Sequence, residues 1–181
     1  SSKSISSAIT GIAIDQGILK DTAVKLASLL PENYRKIIES NPLKQSISIG
    51  NLLTMSSGLD AIDFGTDRKT AASEDNYQNS ADWLKTVLEA PMIHTPGTHA
   101  NYSSANPYLI GVALAGTLHE PLNLYIDKNL FAKLGIDNYL LQNDDKKNPY
   151  FGGGMYLRSR DLLKFGLLYA SYGRWKDQQV I

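Results

Sequence analysis

A helix rich in small side chains opens the sequence and constrains the fold more than any other segment. Residues 4–18 place Ile5, Ile9 and Ile12 at helical spacing, and Gly17 stands where the helix would end. Between the isoleucines the segment carries alanine, serine and glycine. Such short side chains let neighbouring elements approach closely, so we expect this helix to be packed on several sides.

Lys3 stands at the start of this helix, among serines and beside an uncharged apolar run. A serine three residues before a lysine lies on the same helix face, and Ser-x-x-Lys is a signature of serine hydrolases. Here that serine would be the residue immediately before Ser1. We therefore expect the sequence to begin just inside an active site. Taken alone, however, Lys3 would be read as a solvated lysine at a helix start.

Glycine and proline divide the rest of the chain into short segments, most of them with helical periodicity. A very short strand is predicted at 46–49, and polar loops are predicted at 32–45, 60–79 and 135–152. The loop at 60–79 is the longest irregular stretch, and long ordered loops are often functional. The predicted helices after the first are 21–30, 50–56, 80–90, a helix from Ser104 or Asn106 through Leu114, 121–132, and a last one from Ser159 that Gly173 closes.

Charge and cysteine content narrow the function classes. The 181 residues contain 18 Lys+Arg and 18 Asp+Glu, so the formal net charge is zero, which argues against a nucleic-acid partner. No apolar run is long enough to span a bilayer, and the start does not have the pattern of a signal peptide. The sequence contains no cysteine, which excludes disulfides, thiol catalysis and cysteine-bound zinc.

Five stretches, in this order along the chain, resemble the serine β-lactamases of class C and the penicillin-binding-protein-like esterases and DD-peptidases grouped with them. The first is similar to the nucleophile helix of that family, and the third to its tyrosine motif. Together they span nearly the whole chain. The five stretches are KSISSAITGIAIDQG from Lys3, SIGNLLTMSSGL from Ser48, PGTHANYSS from Pro96, LFAKLGI from Leu130 and GGMYLRSRDL from Gly153.

The resemblance implies a two-part fold, an α/β sheet region beside an all-α region. This mainly α chain corresponds to the all-α region, so we predict a single helical region over 1–181 that lacks the N- and C-terminal sheet strands. The third motif of the family, a Lys/His-Ser/Thr-Gly on a strand, would lie beyond Ile181. That strand and the nucleophile supply the oxyanion hole, so we expect the 181 residues alone to be inactive.

The resemblance also assigns roles to three residues. Lys3 would activate the serine as its base, which requires the neutral amine that burial favours. Tyr102 would share a proton network with Lys3 and help to protonate the leaving group. Ser104 takes the position of an asparagine that binds the side-chain amide of a β-lactam, and serine reaches less far. Alternatively, Tyr102 only packs at a helix start, and Ser104 is only an N-cap.

The departure at Ser104 favours an esterase, a DD-peptidase or an oligomer amide hydrolase over a true β-lactamase. The implied reaction passes through an acyl-serine intermediate on a small-molecule amide or ester and needs no cofactor or metal. The alternative is a non-catalytic module that binds peptide or cell wall. The family resemblance further implies a periplasmic or secreted protein, and the sequence leaves the oligomeric state open.

The histidines and the triple glycine suggest no other chemistry. His94, His99 and His119 are scattered and offer neither a Ser-His-Asp order nor metal-ligand spacing, so we expect surface or capping roles. The run 152–154 lacks the Lys-Ser/Thr of a phosphate-binding loop. We expect it to allow close backbone approach near the site.

Overall fold

The computed structural model describes residues 2–65 and 69–181. Ser1, and Asp67 of the predicted polar loop, lie outside the described residues. The helices are α1 (Ser2–Asp15), α2 (Glu32–Glu39), α3 (Pro42–Gln45), α4 (Ile49–Leu53), α5 (Glu74–Gln78), α6 (Trp83–Glu89), α7 (Ala105–Thr117), α8 (Leu122–Ile126) and α9 (Ser159–Ala170). The strands are β1 (Tyr139–Leu141), β2 (Met155–Leu157), β3 (Arg174–Trp175) and β4 (Gln178–Gln179).

The centre of the fold is formed by α1 and α7, which pack against each other. Ile5 and Ile9 of α1 have no exposed surface, and Ser6 and Thr10 are buried with them, as expected for a helix enclosed on several sides. In α7, every residue from Ala105 to Leu114 is buried. A helix that is apolar all round is typical of the interior of a domain. The prediction of a mainly helical fold is confirmed.

The predicted polar loop at 32–45 is wrong, because this segment forms α2 and α3. Tyr34 and Ile38 are four residues apart and form one buried stripe, which packs α2 against α6. Proline at the first position of α3 suits a helix start, and the side chain of Asn41 accepts hydrogen bonds from the next backbone N–H groups. The high polarity of the outer face obscured a narrow apolar face.

The helix predicted at 21–30 is reduced to a 3₁₀ turn over Leu26–Leu29. The chain before this turn is extended instead and pairs with the segment predicted as a very short strand. Leu26 N donates to Ile47 O at 2.9 Å, and Ile49 N donates to Val24 O at 3.0 Å. A single bridge between Lys25 and Ser48 results, so the strand at 46–49 exists only as that bridge.

Two other predicted segments differ in detail. The predicted loop at 60–79 contains the short α5, and the predicted helix at 121–132 is α8 followed by a π-helical turn over Asp127–Phe131. The strands form two separate antiparallel hairpins, β1 with β2 and β3 with β4. The first hairpin joins the predicted loop at 135–152 to the segment after the triple glycine. In the described part of the chain, no helix combines the length and apolar character needed to cross a bilayer.

A reciprocal pair of hydrogen bonds defines the start of α4. The Ser48 hydroxyl accepts from Asn51 N, and the Asn51 side chain accepts from Ser48 N. This capping box gives hydrogen-bond acceptors to two backbone N–H groups that would otherwise lack partners. The helix leads into segment 54–58, whose Ser56 O accepts a hydrogen bond from Gly97 N of the predicted tyrosine motif.

Replacing Ser48 by alanine should lower the free energy of unfolding by about 1 kcal/mol, because the cap acceptor at the start of α4 is lost. Urea denaturation would measure the change. Ser46→Ala is the matched control, since in the part of the chain that the structure describes the Ser46 hydroxyl bonds only to Leu43 O, and it should change stability by about 0.5 kcal/mol or less. Equal losses in the two variants would contradict the capping role.

Candidate active site

Lys3 lies in the first turn of α1 and is half-buried. Its Nζ donates a hydrogen bond to the carbonyl oxygen of Gly152 and another, at 3.4 Å, to the hydroxyl of Ser104. These partners are 149 and 101 residues away in the sequence. The amine is therefore held in place by two distant segments of the chain, unlike a solvated lysine at a helix end.

Tyr102 lies beside the same amine, on the segment that leads into α7. Lys3 Nζ is 5.2 Å from the centroid of the Tyr102 ring, which is within the range of a cation–π contact. The Tyr102 side chain is 53% exposed, and its ring contacts that of Phe64 with centroids 5.9 Å apart. Lys3 thus meets Tyr102 through the face of its ring, and Phe64 packs against that same ring.

Ser104 is buried, and its hydroxyl is directed towards Lys3 and Gly152. Its Oγ lies 3.4 Å from Lys3 Nζ and 3.5 Å from Gly152 O. Ser104 does stand at the N-cap position of α7, but its side chain makes no capping hydrogen bond. The neighbouring Ser103 takes that role, since its hydroxyl accepts from Ala105 N at 3.0 Å. The alternative in which Ser104 is only a cap is therefore wrong.

Backbone hydrogen bonds join the tyrosine segment to the segment after α4. Asn101 N donates to Met55 O at 2.9 Å, and Gly97 N donates to Ser56 O at 2.8 Å. The two stretches of sequence that begin at Ser48 and Pro96 are therefore adjacent in space. Lys3, Tyr102 and Ser104, the three residues predicted for the site, lie together at the start of α1.

The triple glycine contributes backbone to the site, which confirms the prediction of close approach. Gly152 is buried, and its carbonyl oxygen accepts from both Lys3 Nζ and Ser104 Oγ. A side chain at this position is excluded, because a Cβ on Gly152 would overlap the Tyr150 hydroxyl. Gly152 therefore lets the chain turn over Tyr150 while presenting its carbonyl to Lys3.

Asp63 holds the backbone of Ser104, and sequence reasoning did not identify it. Its Oδ2 accepts from Ser104 N at 2.5 Å, and its Oδ1 accepts from Glu74 N at 2.8 Å. One carboxylate thus links the start of α7 to the start of α5. The signal that the sequence offers is that Asp63 falls within the long polar stretch 60–79, and long ordered loops are often functional.

Behind Gly152, two buried tyrosines form a hydrogen-bonded chain that ends on Glu74. Tyr150 Oη donates to Glu74 Oε1 at 2.5 Å, and Tyr150 also bonds to Tyr77 Oη. Each phenol has a single proton, so Tyr77 must donate to Tyr150. Burial, and then the Glu74 hydrogen bond, raise the pKa of Tyr150, and burial likewise raises the pKa of Tyr77 well above its usual value. Both hydroxyls are therefore protonated donors at neutral pH.

These tyrosines belong to an aromatic cluster with Trp83 and Tyr108. The rings of Tyr77 and Tyr108 stack with centroids 5.6 Å apart, and Trp83 packs edge-on against Tyr150 with centroids 5.7 Å apart. Among the described residues, the Tyr108 hydroxyl is buried without a hydrogen-bond partner. The Tyr77–Tyr150–Glu74 chain is thus held rigidly by its packing.

The histidines do not join this site. His94 and His99 stack on each other with ring centroids 4.2 Å apart. Within residues 2–65 and 69–181, no three His, Cys, Asp or Glu side chains converge in a way that could hold a metal ion. The chemistry that the arrangement offers is that of a positioned amine, a phenol and a hydroxyl.

A family model described as Beta-lactamase matches residues 1–176 of the chain. The fold is similar to a penicillin binding protein from Bacillus halodurans, with 19% identity and a TM-score of 0.70 over 94% of this chain and 58% of that one. A Beta-lactamase/D-alanine Carboxypeptidase from Yersinia pestis is similar as well, with 20% identity and a TM-score of 0.64 over 91% and 50%.

A third structure with a similar fold is a D-amino acid amidase from Ochrobactrum anthropi SV3. It has 17% identity and a TM-score of 0.65 over 98% of this chain and 55% of that one. The chain therefore spans about half the length of the solved structures that it matches. At these identities the structural likeness shows the fold.

Proposed function

Because the chain belongs to the Beta-lactamase family, whose model matches residues 1–176, we propose that it is the helical part of a serine hydrolase. The reaction passes through an acyl-serine intermediate on an amide or ester. In this proposal Lys3 is the base that activates the serine, and Tyr102 helps to move the proton to the leaving group. The nucleophile is the residue three positions before Lys3.

The contacts of Lys3 Nζ carry the proposal. The two hydrogens of a neutral amine can be donated to Gly152 O and Ser104 Oγ, which are its two hydrogen-bond acceptors. Its lone pair then remains free to accept the proton of the serine. A serine one turn earlier on the same helix face would be within reach of that lone pair. The position of the amine is thus compatible with general-base catalysis.

The proposed reaction conserves protons. The serine Oγ forms a bond to the substrate carbonyl carbon while its proton moves to Lys3. As the tetrahedral intermediate collapses, the bond from carbon to the leaving group breaks, and the proton passes to that leaving group with the help of Tyr102. Water then attacks the acyl-serine in the same way and releases the acid. The Tyr102 side chain is half-exposed and Lys3 lies over the face of its ring, so its hydroxyl can meet a leaving group from the solvent side.

Ser104 supports an amide or ester substrate rather than a β-lactam. Its hydroxyl is engaged with Lys3 and Gly152, so it is not extended towards a substrate side chain as a longer asparagine would be. Phe64, which is 71% exposed, and Tyr102 offer apolar surface beside the amine. Similar folds occur in a D-amino acid amidase and in a Beta-lactamase/D-alanine Carboxypeptidase. We propose an esterase, a DD-peptidase or an oligomer amide hydrolase.

Covalent labelling tests the proposal on the full-length polypeptide that contains these residues. A fluorophosphonate or a penicillin should add one equivalent, measured by intact mass, and peptide mapping should place the adduct three residues before Lys3. If neither reagent leaves an adduct, the enzyme proposal fails and the alternative of a non-catalytic peptide- or cell-wall-binding module takes its place. A residue other than serine at the mapped position would have the same consequence.

The 181 residues by themselves should not turn over a nitrophenyl ester, because the nucleophile and the oxyanion donors that we propose are outside them. A colorimetric assay of the purified 181-residue chain would check this. Hydrolysis by that chain which disappears in Tyr102→Phe would contradict the expectation.

A further inference from the structure

Both hydrogen-bond acceptors of Lys3, Ser104 and Gly152, are connected through neighbouring residues to the start of α5. Asp63 connects Ser104 to this helix start, because its carboxylate accepts hydrogen bonds from Ser104 N and from Glu74 N. Tyr150, which lies against Gly152, connects that residue to the same helix start, because its hydroxyl donates to Glu74 Oε1. The backbone of Glu74 therefore anchors one partner of Lys3, and its side chain anchors the surroundings of the other.

The contact between Tyr150 and Gly152 makes the second connection a close one. Because a Cβ on Gly152 would overlap the Tyr150 hydroxyl, the peptide of Gly152 rests directly on that hydroxyl. Glu74 Oε1 also lies near the next glycine, since a Cβ on Gly153 would be 3.5 Å from that oxygen. A shift of Tyr150 would therefore open space beside the Gly152 peptide, whose carbonyl contacts Lys3.

Burial and hydrogen bonds fix the position of Tyr150. Tyr150 is 1% exposed and Tyr77 is fully buried, and the Tyr77 hydroxyl donates to that of Tyr150. The backbone of Tyr150 is fixed as well, since its N–H donates to Gln142 O at 2.8 Å. Gln142 N in turn donates to Gly154 O at 2.8 Å, which closes the turn around the glycines. Within this packed group of residues, the Tyr150 hydroxyl donates its hydrogen bond to the Glu74 carboxylate.

We propose that Glu74 and Tyr150 are positioning residues, which hold the Gly152 carbonyl against Lys3 and so set the direction of the Lys3 amine. The inference rests on the proposed function, since it concerns the same site. Neither residue touches the reacting atoms. Without the Tyr150–Glu74 hydrogen bond, the glycine turn would lose its support, and the lone pair of Lys3 would no longer be aimed at the serine.

The test compares Tyr150→Phe with Tyr108→Phe in the full-length polypeptide. Both variants remove one hydroxyl from the same aromatic cluster, but the Tyr108 hydroxyl has no partner among the described residues. We expect kcat for a nitrophenyl ester to fall about 10- to 100-fold in Tyr150→Phe, with KM nearly unchanged, because a misplacement on the scale of 1 Å costs up to about 100-fold. Tyr108→Phe should retain the wild-type kcat.

Two substitutions at Glu74 test the same hydrogen bond from its other end. Glu74→Gln keeps an oxygen that can accept from Tyr150, so it should retain kcat to within about threefold. Glu74→Ala removes the acceptor and should match Tyr150→Phe. The acidic limb of the pH–rate profile, on which a general base loses its proton, should shift in Tyr150→Phe and Glu74→Ala only, and a loss of stability alone would not produce that shift.

The outcomes separate the two proposals. If the wild-type protein is acylated and Tyr150→Phe has the same kcat and pH profile as Tyr108→Phe, the positioning role is overturned while the proposed function stands. If the wild-type protein is not acylated at all, the proposed function fails and the positioning role fails with it. Thermal denaturation checks that each variant is folded at the assay temperature. Should Tyr150→Phe be unfolded, the comparison of Glu74→Ala with Glu74→Gln decides in the same way.

Discussion

Replacing Lys3 by alanine in the full-length polypeptide is expected to lower the acylation rate by about 100- to 10,000-fold, the range of general-base catalysis. The physical reason is that Lys3 Nζ is the amine that Gly152 O and Ser104 Oγ hold in one direction. Alanine leaves the serine without a proton acceptor. The measurement is the second-order rate of labelling by a fluorophosphonate, followed by intact mass.

Lys3→Arg distinguishes a base from a structural cation. Arginine can donate to the same two oxygens and keeps a positive charge, but it does not give up its proton at accessible pH. We therefore expect Lys3→Arg to be acylated as slowly as Lys3→Ala. Lys20→Ala, which removes an exposed lysine beyond the end of α1, should label at the wild-type rate. Retention of activity in Lys3→Arg would contradict a base role for Lys3 and support a purely electrostatic one.

Replacing Gly58 by alanine is expected to lower the free energy of unfolding by about 2–5 kcal/mol. Gly58 has φ = +81°, and an L-residue in this left-handed region costs about 1–2 kcal/mol. A Cβ there would also overlap the carbonyl oxygen of His94, and forcing atoms into packed space adds about 1–3 kcal/mol. The clash is with backbone, which cannot rotate out of the way as a side chain can.

The matched control is Gly17→Ala, because Gly17 has φ = +72° but nothing within 4 Å of its Cβ position. It should show the conformational cost alone, about 1–2 kcal/mol. Urea denaturation of both variants gives the difference, which isolates the close approach of Gly58 to His94. Since Ile93 N and His94 N both donate to Gly58 O, Gly58→Ala should also perturb the segment that leads to Tyr102. Equal losses in the two variants would show that the packing at Gly58 adjusts freely.

The longer helices could be predicted because their signals are local. In α1, α7 and α9, apolar side chains recur at helical spacing within a dozen residues. The segment 32–45 was misjudged because α2 needs only Tyr34 and Ile38 to bury one face. The predicted helix at 21–30 does not form, because Lys25 pairs with Ser48 instead. The periodicity of residues 21–30 does not reveal that contact.

Lys3, Tyr102 and Ser104 could be predicted as site residues from the resemblance, because each stands at a recognisable position in a short ordered motif. Their proximity followed from the resemblance, and the geometry brings them together at 3.4 Å and 5.2 Å from one amine. The sequence likewise indicated that the glycines at 152–154 serve close backbone approach. Such features are set by residue type and short spacing, which remain visible before the chain folds.

Tertiary structure alone decided what holds these residues in place. The Lys3–Gly152 hydrogen bond joins residues 149 apart, and the Tyr150–Glu74 bond joins residues 76 apart. Neither Asp63, Glu74 nor Tyr150 stands in a pattern that distinguishes it from other acidic or aromatic residues of the chain. A hydrogen bond depends on where two loops meet to within a few tenths of an ångström. That meeting is fixed by the packing of the helices between them, so no local pattern in the sequence encodes it.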